Sequence, residues 1–140
     1  PLVVGFGKAA KIAFEVLESE NKRIQYLRDY FLNSLKNQLD NILINGSNTY
    51  RLSNNLNLAI RGIIGEKLVQ ELQEVAISTG SACNTASVEP SYVLRAMGLN
   101  KARALSSVRI SLGRKTSKKD IDIAAKEIVA KVRKLRGEKK

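Results

Sequence analysis

The pattern of apolar and polar positions predicts two long helices, one near each end of the chain. Apolar residues recur at helical spacing over residues 6–35, with charged residues between them. A second stripe consists of Ile121, Ala125, Ile128, Val132 and Leu135. Ser117 precedes that stripe, and Asp120 follows three residues later, which is the spacing of a capping box. Residues 1–4 are apolar and are predicted to be the tail of a preceding element.

Short strands and helices are predicted between the two long helices. Alternating apolar positions and turn residues predict strands at 42–44, 56–60, 75–77 and 108–112. Helical spacing predicts short helices at 66–74 and 91–97, whereas 100–105 is interpreted as a connector. This order indicates an α+β fold, with a small, mostly antiparallel sheet of three to four strands covered by helices on one side. The length of 140 residues suits a single domain, 1–140.

Composition excludes several classes of function. The chain has no histidine, which removes a Cys-His hydrolase pair and a Cys/His zinc site, so no metal is expected. No apolar run approaches the roughly 20 residues of a membrane helix. A single cysteine cannot form an internal disulfide, and a cytoplasmic location is therefore expected.

The net charge of +11 is concentrated near the C-terminus and favours acidic partners. A solvated helix face and a basic tail explain this charge better than a nucleic-acid site. No aromatic residues are interleaved with the basic ones, and no nucleic-acid-binding motif is present. Nucleic-acid binding through the last helix is kept only as a weaker third hypothesis.

Cys83 is the main candidate for chemistry. It stands in the run I-S-T-G-S-A-C-N-T-A-S-V-E-P-S-Y, whose small residues cannot fill a core. The run is interpreted as a loop that allows the thiol to move toward a substrate, with disorder expected over 79–87. The alternative is a semi-buried cysteine near a turn, and composition alone does not decide between the two.

Two stretches resemble the C-terminal part of the NifS/IscS-type cysteine desulfurases, in the class V PLP-dependent aminotransferase-like family. The first is S-T-G-S-A-C-N-T-A-S-V-E-P-S-Y-V-L-R-A-M-G-L-N, residues 78–100. The second is S-S-V-R-I-S-L-G-R, residues 106–114. The resemblance implies the small domain of the fold type I architecture of PLP-dependent transferases.

The resemblance also implies roles for two residues. Cys83 would attack the sulfur of L-cysteine, leaving L-alanine and a persulfide for iron–sulfur cluster or thio-cofactor assembly. Arg109 would bind the substrate carboxylate, because its planar guanidinium can bind a carboxylate bidentately. Position alone would favour an outward strand residue, paired with an acid or left in water.

The partners implied are L-cysteine, a sulfur acceptor such as an iron–sulfur scaffold protein, and a second copy in a homodimer. Pyridoxal phosphate (PLP) would be bound by a large domain absent from these residues. The chain is therefore expected to be an inactive fragment on its own, with the apolar face of its first helix uncovered. The alternative is a non-enzyme: a persulfide carrier, a remnant or a protein-binding module.

Overall fold

The computed structural model describes residues 1–79 and 89–138. Its elements are α1 (Leu2–Lys36), β1 (Ile42–Ile44), β2 (Asn55–Ile60), α2 (Gly65–Glu71), α3 (Tyr92–Ala96), α4 (Lys101–Leu105), β3 (Ser107–Ser111) and α5 (Lys118–Arg136). The predicted α+β class and the long terminal helices are confirmed. None of the helices in the described ranges is long and apolar enough to cross a membrane.

In the described part of the chain, the sheet has three antiparallel strands in the order β1-β2-β3. Leu56 and Leu58 of β2 and Val108 of β3 are almost completely buried on the face that packs against the helices. Because side chains alternate across a strand, Asn57 and Arg109 lie on the opposite face. The sheet therefore has one face for the core and one largely polar face.

The two long helices pack against each other through only half of α1. The buried residues of α1 include Ile24, Leu27, Phe31 and Leu35, which share one core with the buried stripe of α5. In the first half of α1, Phe6 is 78% exposed and Phe14 is 82% exposed. The predicted uncovered apolar face of the first helix is confirmed.

The start of α5 confirms the predicted capping box. The Ser117 hydroxyl accepts the Asp120 backbone N–H, and the Asp120 carboxylate accepts the Ser117 backbone N–H. Both bonds satisfy amides that the first turn of a helix cannot pair internally.

The prediction of a separate element at residues 1–4 is wrong. The helix α1 begins at Leu2, and the Gly5 N–H already donates to the Pro1 carbonyl. Gly5 and Gly7 therefore lie inside the helix, although both weaken a helix interior. Their low propensity suggested a break that the structure does not contain.

The predicted strand at 75–77 is also wrong, and α2 ends at Glu71 rather than at residue 74. The carboxylate of Glu127 on α5 accepts the backbone N–H groups of Gln73 and Glu74. These bonds fix the backbone that follows α2, where Leu72 is already extended. Pairing with β3 is reached only at Ser78, as an isolated bridge.

The connector predicted at 100–105 contains α4. The Asn100 side chain accepts the Arg103 backbone N–H and caps this short helix. An asparagine followed by Lys-Ala-Arg-Ala-Leu is a helix-start signal that could have been recognised in the sequence.

Candidate functional site

The polar sheet face is formed by Asn55, Asn57, Ser78, Arg109 and Ser111. Antiparallel register places Asn57 opposite Arg109 and Asn55 opposite Ser111. On the other side of β3, Ser78 is paired with Arg109. All of these side chains are polar, and none is acidic.

Arg109 lies at the centre of this face. Its backbone exchanges two hydrogen bonds with Ser78, at 2.6 Å and 3.1 Å, while its side chain is exposed. Within residues 1–79 and 89–138, no carboxylate lies within 4.0 Å of its guanidinium, and its side chain makes no hydrogen bond. The acid-paired alternative for Arg109 therefore has no support in the described part of the chain.

The stem of the cysteine segment is held on both sides. Ser78 is bonded to β3, and the Thr79 hydroxyl donates to Glu66 Oε2 of α2 at 2.9 Å. Thr79, the first residue of the segment expected to be disordered, thus has a defined partner. This arrangement places the start of the segment directly beside Arg109.

Cys83 itself lies outside the described residues, as does the remainder of the segment for which disorder was expected. Its predicted role stays a prediction. The described chain resumes at Glu89 and enters α3 after the buried Ser91.

A hydrogen-bond network on the polar side of the sheet orients Asn57. The Asn45 amide group donates to Asn57 Oδ1 at 2.7 Å and to the Ser107 hydroxyl at 2.8 Å, and its oxygen accepts from Arg103 Nε. Since the Asn57 oxygen is used in this network, its NH₂ group is available beside Arg109. An asparagine at an outward strand position has no distinguishing sequence signal, which is why Asn57 was not predicted.

Arg51 lies between β1 and β2 and donates to the Asn45 carbonyl at 2.8 Å. Burial lowers the pKa of the Arg51 guanidinium, and the positive charge of Arg28 lowers it further. Arg28 is itself buried and is paired with Asp29 at 2.8 Å. The two arginines also donate to backbone carbonyls of the β1–β2 connection, at Ser47 and Leu52.

The residues of the described ranges form no cluster of His, Cys, Asp or Glu that could hold a metal ion. The polar sheet face can instead bind an anionic group, because it combines an exposed guanidinium with neutral hydrogen-bonding side chains.

The sequence profile of the Aminotransferase class-V family matches residues 1–123. The chain belongs to this family. A cysteine desulfurase IscS from Rickettsia felis is 43% identical over 136 residues, which are 97% of this chain and 33% of the relative. An IscS from Rickettsia bellii is equally similar, at 43% over 136 residues.

Solved structures of the same family share the fold. A NifS-like protein matches with a TM-score of 0.78 and 26% identity, covering 93% of this chain and 33% of that protein. A NifS-like protein from Rickettsia africae matches with a TM-score of 0.74 and 26% identity, over 91% of this chain and 33% of that one. The chain thus spans about a third of the length of the curated relatives it matches.

The class-V family depends on PLP. PLP is attached covalently to a lysine, and an aspartate or an arginine contacts its ring nitrogen. Lys8 and Lys11 are exposed on the first half of α1. Lys67 lines a cavity together with Arg61 and Arg103, and no carboxylate is among the residues that line it.

Proposed function

We propose that this chain is the part of a cysteine desulfurase that carries the sulfur-accepting cysteine and the arginine for the substrate carboxylate. The observation that carries the proposal is the bridge between Ser78 and Arg109. It brings the stem of the Cys83 segment next to an exposed guanidinium on a polar face. The names of the relatives support the same assignment.

Arg109 has the surroundings that a carboxylate-binding arginine requires. It is exposed, its backbone is bonded in the sheet, and its described neighbours on the face are neutral. A bound carboxylate would accept two parallel N–H bonds from the guanidinium. The NH₂ group of Asn57 would supply a further donor beside it.

Cys83 would accept the sulfur. In the overall reaction, the carbon–sulfur bond of L-cysteine breaks and a sulfur–sulfur bond to Cys83 forms. The products are L-alanine and a persulfide, and the thiol hydrogen of Cys83 balances the new carbon–hydrogen bond of alanine. No external oxidant or reductant is consumed.

PLP, in this proposal, is held by a large domain outside these residues and supplies the electron sink for the reaction. The isolated chain is therefore inactive. The sulfur acceptor would be a protein such as an iron–sulfur scaffold, and the complete enzyme would be a homodimer. These partners rest on the family resemblance alone.

Intact-mass analysis tests the role of Cys83. The chain is incubated with L-cysteine and PLP, alone and with full-length Rickettsia felis IscS whose own loop cysteine is replaced by serine. We expect the mass of one added sulfur atom only in the second mixture, and no addition to the Cys83→Ser chain. Sulfur added in neither mixture would favour a remnant or a binding module over a desulfurase part.

A chimera tests Arg109. The 140 residues replace the matched third of the Rickettsia felis enzyme, and initial rates of alanine formation are measured. Arg109→Gln should lower kcat/KM for L-cysteine about 10- to 100-fold, because a bidentate charged pair is lost. Arg133→Gln removes the same charge from an exposed position on α5 and is the control. Equal rates for the two variants would contradict the assignment.

A further inference from the structure

A cavity of about 790 Å³ lies between the β2–α2 connection and α4. This volume is within the range of roughly 300–1,000 Å³ that is typical of small-molecule sites. No residue of the polar sheet face is among those that line it. The cavity lies beside that face, because Arg103 bonds the Asn45 side chain, which also bonds Asn57.

The charged residues that line the cavity are all cationic. They are Arg61, Lys67 and Arg103, and the lining contains no aspartate or glutamate. The acidic residues of the adjoining α2 are committed elsewhere, since Glu66 accepts from Thr79 and Glu71 pairs with lysines of α5. An uncompensated positive lining of this kind favours an anionic ligand.

Arg103 is held in place. Its Nε donates to Asn45 Oδ1 and its Nη2 donates to the Ile44 carbonyl, both at 2.8 Å. These bonds leave Nη1 of the guanidinium without a hydrogen-bond partner among residues 1–79 and 89–138. Asn100 also lines the cavity, and because its oxygen caps α4, its NH₂ group remains a donor. Donors fixed in this way bind an anion with little loss of side-chain entropy.

The rest of the lining is largely apolar. It includes Leu43, Ile63 and Leu105. Leu43 is 40% exposed, so part of this apolar surface is open to water. An inorganic ion would leave this surface in water, whereas an organic group attached to the anion would cover it. The ligand must therefore combine a charged end with an apolar part.

We propose that this cavity binds a phosphate monoester of a small organic molecule. A phosphate monoester carries a charge of about −1.5 to −2 at neutral pH, which matches three cations better than the single charge of a carboxylate or a sulfate ester. The apolar part lies against Leu43, Ile63 and Leu105. This site does not depend on the desulfurase assignment.

Naphthyl phosphate is the probe, and its binding to the 140-residue chain is followed by amide NMR titration. We expect shifts of the amides around Arg61, Lys67 and Arg103. The double variant Arg61→Gln/Lys67→Gln should bind about tenfold or more weakly, because two charge-assisted contacts are lost. The side chains of both residues are exposed and make no hydrogen bond within the described ranges, so the variant should keep the wild-type spectrum elsewhere.

The control variant Lys119→Gln/Lys126→Gln removes the same charge from two exposed positions of α5 that do not line the cavity. It should bind the probe like the wild type. Naphthol, naphthyl sulfate and inorganic phosphate each lack one feature of the probe and should bind more weakly. The proposal is overturned by equal weakening in both variants, by equal binding of any of these three compounds, or by shifts confined to amides elsewhere.

Discussion

The clearest effect of a single residue in this fold is at Gly65, the first residue of α2. A Cβ added there would lie 2.5 Å from the Ser107 carbonyl oxygen of β3. The start of α2 thus approaches the strand that carries Arg109 more closely than any side chain permits. At Gly5 in α1, by contrast, an added Cβ would have no neighbour within 4 Å.

We predict opposite effects of the same substitution at these two positions. Gly65→Ala should lower the free energy of unfolding by about 1–3 kcal/mol, because the backbone must shift to relieve the contact. Gly5→Ala should raise it by about 0.5–1 kcal/mol, because alanine favours the helix interior. Urea denaturation of the two variants measures both changes. A neutral Gly65→Ala would contradict the close approach.

The effect of a single element is clearest at α5, where the capping box lies in the first turn. The hydrogen bonds from the Ser117 backbone and side chain to the carboxylate hold the pKa of Asp120 below its ordinary value of 3.8. A carboxylate with a lowered pKa in the folded state stabilises the fold when it is ionised. This stabilisation is therefore present above pH 3.8 and is lost as the pH falls through the pKa of the folded state.

Asp120→Asn should accordingly be less stable than the wild type at neutral pH, with a difference that shrinks on acidification below pH 3.8. Thermal unfolding followed by circular dichroism between neutral and acidic pH measures the difference. Asp40→Asn makes the same chemical change at an exposed position outside the helices and is the control. A difference that stays constant with pH would mean that the Asp120 carboxylate does not act through its charge.

At the scale of the whole molecule, α1 is divided into a half that packs and a half that does not. Phe31 is 1% exposed in the shared core with α5, whereas Phe6 and Phe14 are 78% and 82% exposed. Exposed apolar side chains on one helix segment are typical of a surface that meets another protein segment. The proposed large domain is the partner that would cover it.

Substitutions of phenylalanine distinguish the packed half of α1 from the exposed half. Phe31→Ala should lower the free energy of unfolding by about 3–5 kcal/mol, because it leaves a cavity in the core. Phe6→Ser/Phe14→Ser should change it by less than about 0.5 kcal/mol, because both side chains are already exposed. Urea denaturation gives both values. A large loss in the double variant would show that the first half of α1 is packed within the chain.

The same double variant should bind less of a hydrophobic dye than the wild type, since the exposed apolar surface is reduced. Fluorescence titration at equal protein concentration tests this expectation. Unchanged dye binding would mean that the dye-binding surface lies elsewhere.

Local patterns in the sequence were sufficient to predict much of the fold. The helical stripe of α5, its capping box and the alternation in β2 and β3 depend on neighbouring residues, so they can be recognised along the chain. The strand predicted at 75–77 is absent, and the preceding residues Gln73 and Glu74 donate to the carboxylate of Glu127, more than fifty residues away. Periodicity contains no information about such a distant partner.

The candidate site likewise has one part that the sequence reveals and another that only folding brings together. The two stretches that imply roles for Cys83 and Arg109 are each continuous in the sequence, and the class-V family of the chain is confirmed. Folding alone brings Asn57 and Ser78 to the two sides of Arg109, through strand register and an isolated bridge. The cationic cavity likewise joins residues from the β2–α2 connection and α4, which are some forty residues apart. Side-chain chemistry and local periodicity are properties of the chain, whereas neighbours from distant segments arise only when the core packs.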